Sequence, residues 1–316
     1  MNRSVTEGIV RGFTHGLLSS TSLLANAPHA TAALEAWRQL KAEQASGRLP
    51  SNEARASLRE PALPFELGIH LNLTQGRPLT QGYPPQLLDE AGRFRGIGTV
   101  FRHLRRPRPR PSLEAALRSE LAAQIEFLLD HGFQPTHVNG HQYIELLPGL
   151  RHTLRALLAR YRIATLRVAR EGRLFQTTLR NERQPGKWFL AHVKRFYAGR
   201  LLREAQSWQV DFPDAFFGTS HAGRVDLALV RQFLVGKDRR RLIEIGLHPA
   251  IGSGSGSQEA ETVAGWSDPL AELRPKELEM LTGPHLAELL HSCGMSLGRL
   301  AGSAKSVAAG GAARAA

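Results

Sequence analysis

Glu66-Leu67-Gly68-Ile69-His70 and Glu244-Ile245-Gly246-Leu247-His248 are two copies of one five-residue pattern. Side chains alternate across a strand. Glu66, Gly68, His70 and Asn72 therefore share one face, with Phe65, Leu67, Ile69 and Leu71 on the other. Glu244, Gly246 and His248 oppose Ile243, Ile245 and Leu247 in the same way. The aliphatic face suits packing under helices. The polar face suits the inside of a closed sheet, with each His near its strand's C-terminal end, where barrel enzymes build their sites. One such strand alone reads as a buried, hydrogen-bonded histidine; two with matching placement favour function.

Outward from these strands the pattern alternates. Helices are expected over about 4–14, 31–45, 112–131, 187–205, from Asp226, and over 275–290. Strands are expected over 17–24, 65–73, 135–139, 164–168, 215–217 and 242–248. Ser4 and Glu7 have capping-box spacing, Ser112 is placed to cap the third helix, and Pro148 opens a further helix. The stretch from Gln75 to Pro111 reads as irregular. Strands separated by single helices imply parallel βαβ crossovers. Their number in about 300 residues suits a closed or nearly closed (β/α) barrel, with a doubly wound open sheet as the alternative. No glycine-rich nucleotide fingerprint is present. Residues 1–300 read as one domain. The Gly252–Ser257 run (GSGSGS) reads as a flexible loop, and 301–316 as a low-complexity, disordered tail. The first element is a helix, where this kind of fold opens with a strand.

The 316 residues carry 41 Lys and Arg against 28 Asp and Glu, a formal charge of +13. That invites a nucleic-acid reading, but the cations are spread along helices. Arg105–Arg110 (RRPRPR) reads as a solvated linker, and Lys237–Arg241 (KDRRR) complements a helix C-terminus. Neither nucleic acid nor a membrane span is expected, and a homodimer is left open. The segment after Arg11 mimics a signal peptide but is broken by Ser19, Ser20, Thr21 and Ser22, so no cleaved signal is expected. The single cysteine, Cys293, excludes an internal disulfide and fits the cytoplasm. Any metal must be held by His, Asp or Glu.

A third cluster is Thr136-His137-Val138-Asn139-Gly140-His141-Gln142-Tyr143. Pro135 and Gly140 oppose a helix here. In a strand the two histidines lie roughly 13 Å apart, too far for one ion. A turn at Gly140 would project His141 from the loop. His70, His141 and His248 then come from three strand ends, an arrangement suited to metal-assisted hydrolysis, which also needs a carboxylate as ligand or base.

GIHLNLTQGRPL (68–79), PTHVNGHQYIELLPG (135–149) and EIGLHPA (244–250), with the opening NRSVTEGIVRGFTHGLLSSTSLLAN (2–26), resemble the YdjC-like family of carbohydrate deacetylases. That family includes chitooligosaccharide deacetylases and relatives linked to hopanoid synthesis. The resemblance covers residues 1–295 and implies an α/β, distorted (β/α) barrel that removes acetyl groups from N-acetylated sugars with a divalent metal, Mg or Zn. By position it implies His70 and His141 as metal ligands and His248 as general acid for the leaving amine. Asn72, Arg170 and His137 are expected at the sugar. The family carries Asp where this chain has Asn139, and commonly His at Tyr143 and Glu145. Its first strand ends in an Asp-Asp-Phe-Gly motif that supplies a metal-binding carboxylate and the base. That strand is expected to be missing from this chain, with Met1 an internal methionine of a longer product. The rival expectation is a non-catalytic, sugar-binding remnant.

Overall fold

Helix α1 (Arg3–Thr14) opens where the side-chain oxygen of Asn2 accepts the Val5 N–H at 3.0 Å. The cap is therefore Asn2, not the expected Ser4–Glu7 box. The Ser4 hydroxyl instead donates to the Ile251 carbonyl at 2.5 Å, tying the first helix to a loop 247 positions away. The computed structural model describes residues 2–50, 58, 65–106, 110–171, 185–237, 241–252 and 265–300.

After α1 come β1 (Ser20–Leu23), α2 (Ala30–Ala45), β2 (Glu66–Leu71), α3 (Ile97–Leu104), α4 (Pro111–Asp130), β3 (His137–Gly140), α5 (Arg151–Arg160) and β4 (Thr165–Leu166). Then follow α6 (Pro185–Ala205), β5 (Ala215–Phe217), α7 (Leu227–Leu234), β6 (Ile243–Ile245), α8 (Arg274–Thr282) and α9 (Pro284–Ser292). α3 lies in the stretch expected to be irregular: Ile97, Val100, Phe101 and Leu104 give it one apolar face. α4 begins with Pro111 at its first position, where a missing N–H costs nothing, rather than with a Ser112 cap. Gly283 and Pro284 divide the single helix expected over 275–290 into two.

β1 to β4 form one parallel sheet in chain order, and β5 pairs with β6 in a second parallel sheet. The α/β class with parallel strands is as read. A closed ring is not shown: the described strands form two sheets, in which β1, β4, β5 and β6 each pair on one side only. The GSGSGS run from residue 253 onward, the tail 301–316, and residues 107–109 and 238–240 of the two basic runs lie outside the described residues.

Alternation decides the packing. Leu67, Ile69 and Leu71 enter the main core with Leu117, Leu121 and Ile125 of α4. Phe13 of α1 is fully buried, with ring centroids 5.3 Å from Trp37 and 4.6 Å from Phe65. Each such side chain contributes about 1.5–3 kcal/mol. On the other face, Glu66 receives the Leu300 N–H at 2.7 Å, and Thr165 donates to the Leu300 carbonyl at 3.3 Å. The chain beyond α9 thus crosses beneath the N-terminal ends of β2 and β4. Glu66 is committed to that crossing and is not available at the opposite end, where the histidines lie.

Candidate active site

A cavity of about 820 Å³ opens between the two sheets, lined by β1 and β6 and by His70, His141 and His248. His70 reaches it because it lies on the inward face of β2, in register with Asn139 of β3. His141 reaches it from the turn that follows β3. The turn is made not at Gly140 but at Gln142 and Tyr143, which adopt φ of +52° and +65°. Two consecutive left-handed residues other than Gly or Asn are costly, about 1–3 kcal/mol each, and mark a backbone held by its surroundings. His248 lies beyond the short β6. Buried Glu277 accepts its backbone N–H at 2.5 Å, and Arg274 donates to its carbonyl at 3.2 Å.

His70 Nε2 and His141 Nδ1 lie 3.3 Å apart, with the rings nearly perpendicular at 78°. Two nitrogens bound to one ion at about 2.1 Å in tetrahedral geometry stand roughly 3.4 Å apart. The pair therefore fits a shared divalent ion. Among the described residues no group of three His, Cys, Asp or Glu side chains is arranged to hold an ion, so the pair is the whole donor set there. Burial holds His70 well below the usual imidazole range, with His141 adding to the effect. Burial lowers His141 to about 4 and, together with Arg274 and Arg167, lowers His248 to about 3. All three therefore rest neutral, the form that binds metal or accepts a proton.

Asn139 sets the orientation of His70. With its oxygen toward His70, the amide accepts from Nδ1 at 2.6 Å and leaves Nε2 free for an ion. Turned over, its nitrogen donates to Nδ1 and its oxygen accepts from Arg167 at 2.6 Å, which places the His70 proton on Nε2. The ligating tautomer competes with the Arg167 contact. An aspartate can only accept, so Asn139→Asp is expected to fix the ligating form and raise zinc affinity about tenfold. Calorimetric titration checks this; unchanged or weaker binding would show that residue 139 does not govern the ring.

None of the three residues expected at the sugar lines the cavity. Asn72 is fully buried and braces the loop after β2, where its oxygen accepts the N–H of Thr74 and Gln75 and its amide donates to Asn26. His137 is fully buried under Gly68, where a Cβ would enter its ring, and burial lowers it to about 3. Arg170 is exposed. Arg167 does line the cavity; its Nε donates to Glu244 at 2.6 Å and its guanidinium lies 5.1 Å from the Phe216 ring. Its position on the inward face, two residues from Thr165, was a signal available from alternation. Glu145 and Lys194 also line the cavity; Glu145 falls within the 135–149 motif, whereas no motif announced Lys194.

Among relatives, the chain is 31% identical over 175 residues to a carbohydrate deacetylase of Geobacillus stearothermophilus, spanning 55% of this chain and 58% of that one. It is 26% identical over 294 residues to a chitooligosaccharide deacetylase of Yersinia enterocolitica, spanning 92% and 90%. With a carbohydrate deacetylase of Mus musculus it shares 28% identity over 224 residues, 62% of that chain. A crystal structure from Enterococcus faecalis, described as a cellobiose-phosphate cleavage protein, shares the fold with a TM-score of 0.64 at 20% identity, covering 95% of this chain and 93% of that one. Among the described residues no helix is long and apolar enough to cross a membrane. The family model for YdjC-like protein matches residues 1–292, and the chain belongs to that family.

Proposed function

We propose that this chain is a metal-dependent carbohydrate deacetylase that releases acetate from an N-acetylated sugar. The carrying observation is the 3.3 Å approach of His70 and His141 at the cavity. The relatives named carbohydrate and chitooligosaccharide deacetylases support the reaction class. A divalent ion supplies Lewis acidity and lowers the pKa of a nearby water. His70 and His141 would hold it, and two imidazoles suit zinc better than magnesium, which prefers oxygen ligands. His248 rests neutral. It takes a proton from the attacking water as the new C–O bond forms at the acetamide carbon, then hands that proton to the amine as the C–N bond breaks. Arg274 and Glu277 hold its backbone in place. The single cysteine fits work in the cytoplasm.

The two-sheet arrangement supports one further element of this reading. The unpaired edges of β1 and β6 border the same cavity. A further parallel strand laid between them would join the two sheets into one along that side. Its C-terminal end would lie beside the histidine pair, where a carboxylate ligand and base are needed.

The donor set of two histidines among the described residues favours the rival reading, a sugar-binding protein without hydrolysis. One experiment separates them: acetate release from N,N′-diacetylchitobiose by the protein as isolated, after chelation, and after return of zinc or magnesium. Release that is lost on chelation and restored by zinc is the expected result. Sugar binding with no acetate release under any metal would establish the rival.

A further inference from the structure

The cavity holds a second polar pair that the acetyl chemistry does not use. Glu145 is 1% exposed, and neither of its carboxyl oxygens makes a well-aligned hydrogen bond, although the backbone N–H groups of Gly140 and Glu145 act on it. Such an orphan costs about 1–3 kcal/mol unless something fills it. Lys194 of α6 faces the same space. Its ammonium sits 4.1 Å from the centroid of the Tyr143 ring, the seat a cation takes on an aromatic face. Among the described residues no carboxylate comes within ion-pairing distance of it, although Glu145 and Glu171 act on it electrostatically. Glu171 is already satisfied: one oxygen accepts the N–H of Gly218, Thr219 and Ser220 at 2.7–3.1 Å, and the other accepts the Ser220 hydroxyl at 2.5 Å. Glu145 is the carboxyl left open.

We propose that Glu145 and Lys194 form a binding site for a pair of neighbouring hydroxyls on an uncharged sugar, away from its acetamide group. The inference rests on the sugar reading of the cavity. An acceptor and a donor line the same cavity from different elements. One sugar hydroxyl donates to the Glu145 carboxyl while its neighbour accepts from the Lys194 ammonium, which relieves the Glu145 orphan. A cation is disfavoured because Lys194 repels it. An anion is disfavoured because Glu171 repels it and the buried Glu145 offers it no positive charge. The left-handed turn at Gln142–Tyr143 has a purpose in this picture: it places His141 at the metal pair and the Tyr143 ring under Lys194, so one strained turn serves both ends of the substrate.

The test is calorimetric titration of the full chain with N,N′-diacetylchitobiose, for the unaltered protein and for Glu145→Ala, Glu145→Gln and Lys194→Met. The expected result is a tenfold or greater loss of affinity in Glu145→Ala and Lys194→Met, a smaller loss in Glu145→Gln, which keeps one acceptor, and unchanged zinc affinity in all three. No binding by the unaltered chain, or affinities within twofold across the set, overturns the proposal. So does Lys194-dependent binding of inorganic phosphate in competition with the disaccharide, and so does a loss of sugar and zinc binding in parallel. Should Glu145→Ala fail to fold, the Glu145→Gln and Lys194→Met results decide. Weakened binding in a protein that releases no acetate upholds this site and removes the deacetylase reading. Acetate release indifferent to both residues does the reverse.

Discussion

Replacing His141 by alanine is expected to lower acetate release by roughly 10³-fold, about 4 kcal/mol of lost transition-state stabilisation, and to abolish zinc binding at micromolar metal. His141 supplies one of only two nitrogens that approach each other at the cavity. Its other nitrogen is buried without a partner, so no competing contact explains where the side chain sits. The effect on folding should be small, because the residue lies in a turn and its ring faces the cavity. Circular dichroism and a thermal melt separate the two effects. If His141→Ala keeps metal-dependent release within tenfold of the unaltered chain, His141 does not hold the ion and the proposed chemistry fails with it.

Acidification of the metal-free chain is expected to destabilise it strongly. Burial holds His137 near 3, His141 near 4 and His70 well below the usual imidazole range, all below the unfolded value of about 6.5. Between those values the unfolded chain binds protons that the folded chain refuses, so stability is lost as pH falls. Glu145 acts in the opposite sense. Burial raises it to about 8, so the folded chain keeps a proton that the unfolded one releases, and stability is lost as pH rises from about 4.5 toward 8. Three histidines against one carboxyl place the maximum near pH 6.5. The fall by about pH 4.5 is on the order of 5 kcal/mol. Urea midpoints in chelator at the two pH values measure it. A midpoint that stays level or rises on acidification would mean that the histidines are protonated within the fold.

The sequence was most legible where period-2 alternation is strong. Leu67, Ile69 and Leu71 against Gly68 and His70 identified both the core face and the cavity face of β2. The separation of His137 from His141 followed from strand geometry alone: one is buried beneath Gly68 and the other faces the cavity. What stayed hidden depended on tertiary placement. Gln142 and Tyr143 adopt a conformation their residue types disfavour, so no local rule locates the turn there. Lys194 lies in a helix whose role at the cavity is fixed only by packing. Arg167 lines the cavity from the inward face of the strand end, whereas Arg170 is exposed. The ring of strands was inferred from a count of elements, and a count does not reveal which edges pair.

The clasp of Leu300 onto Glu66, 234 positions away, and of Ser4 onto Ile251 has a temporal consequence. Contacts of such long range close late in folding. On the ribosome, the contact of Leu300 with Glu66 cannot close until residue 300, beyond the last described helix, has emerged. Until then the two ends of the sheet that this crossing ties together are held only by their own strand pairing.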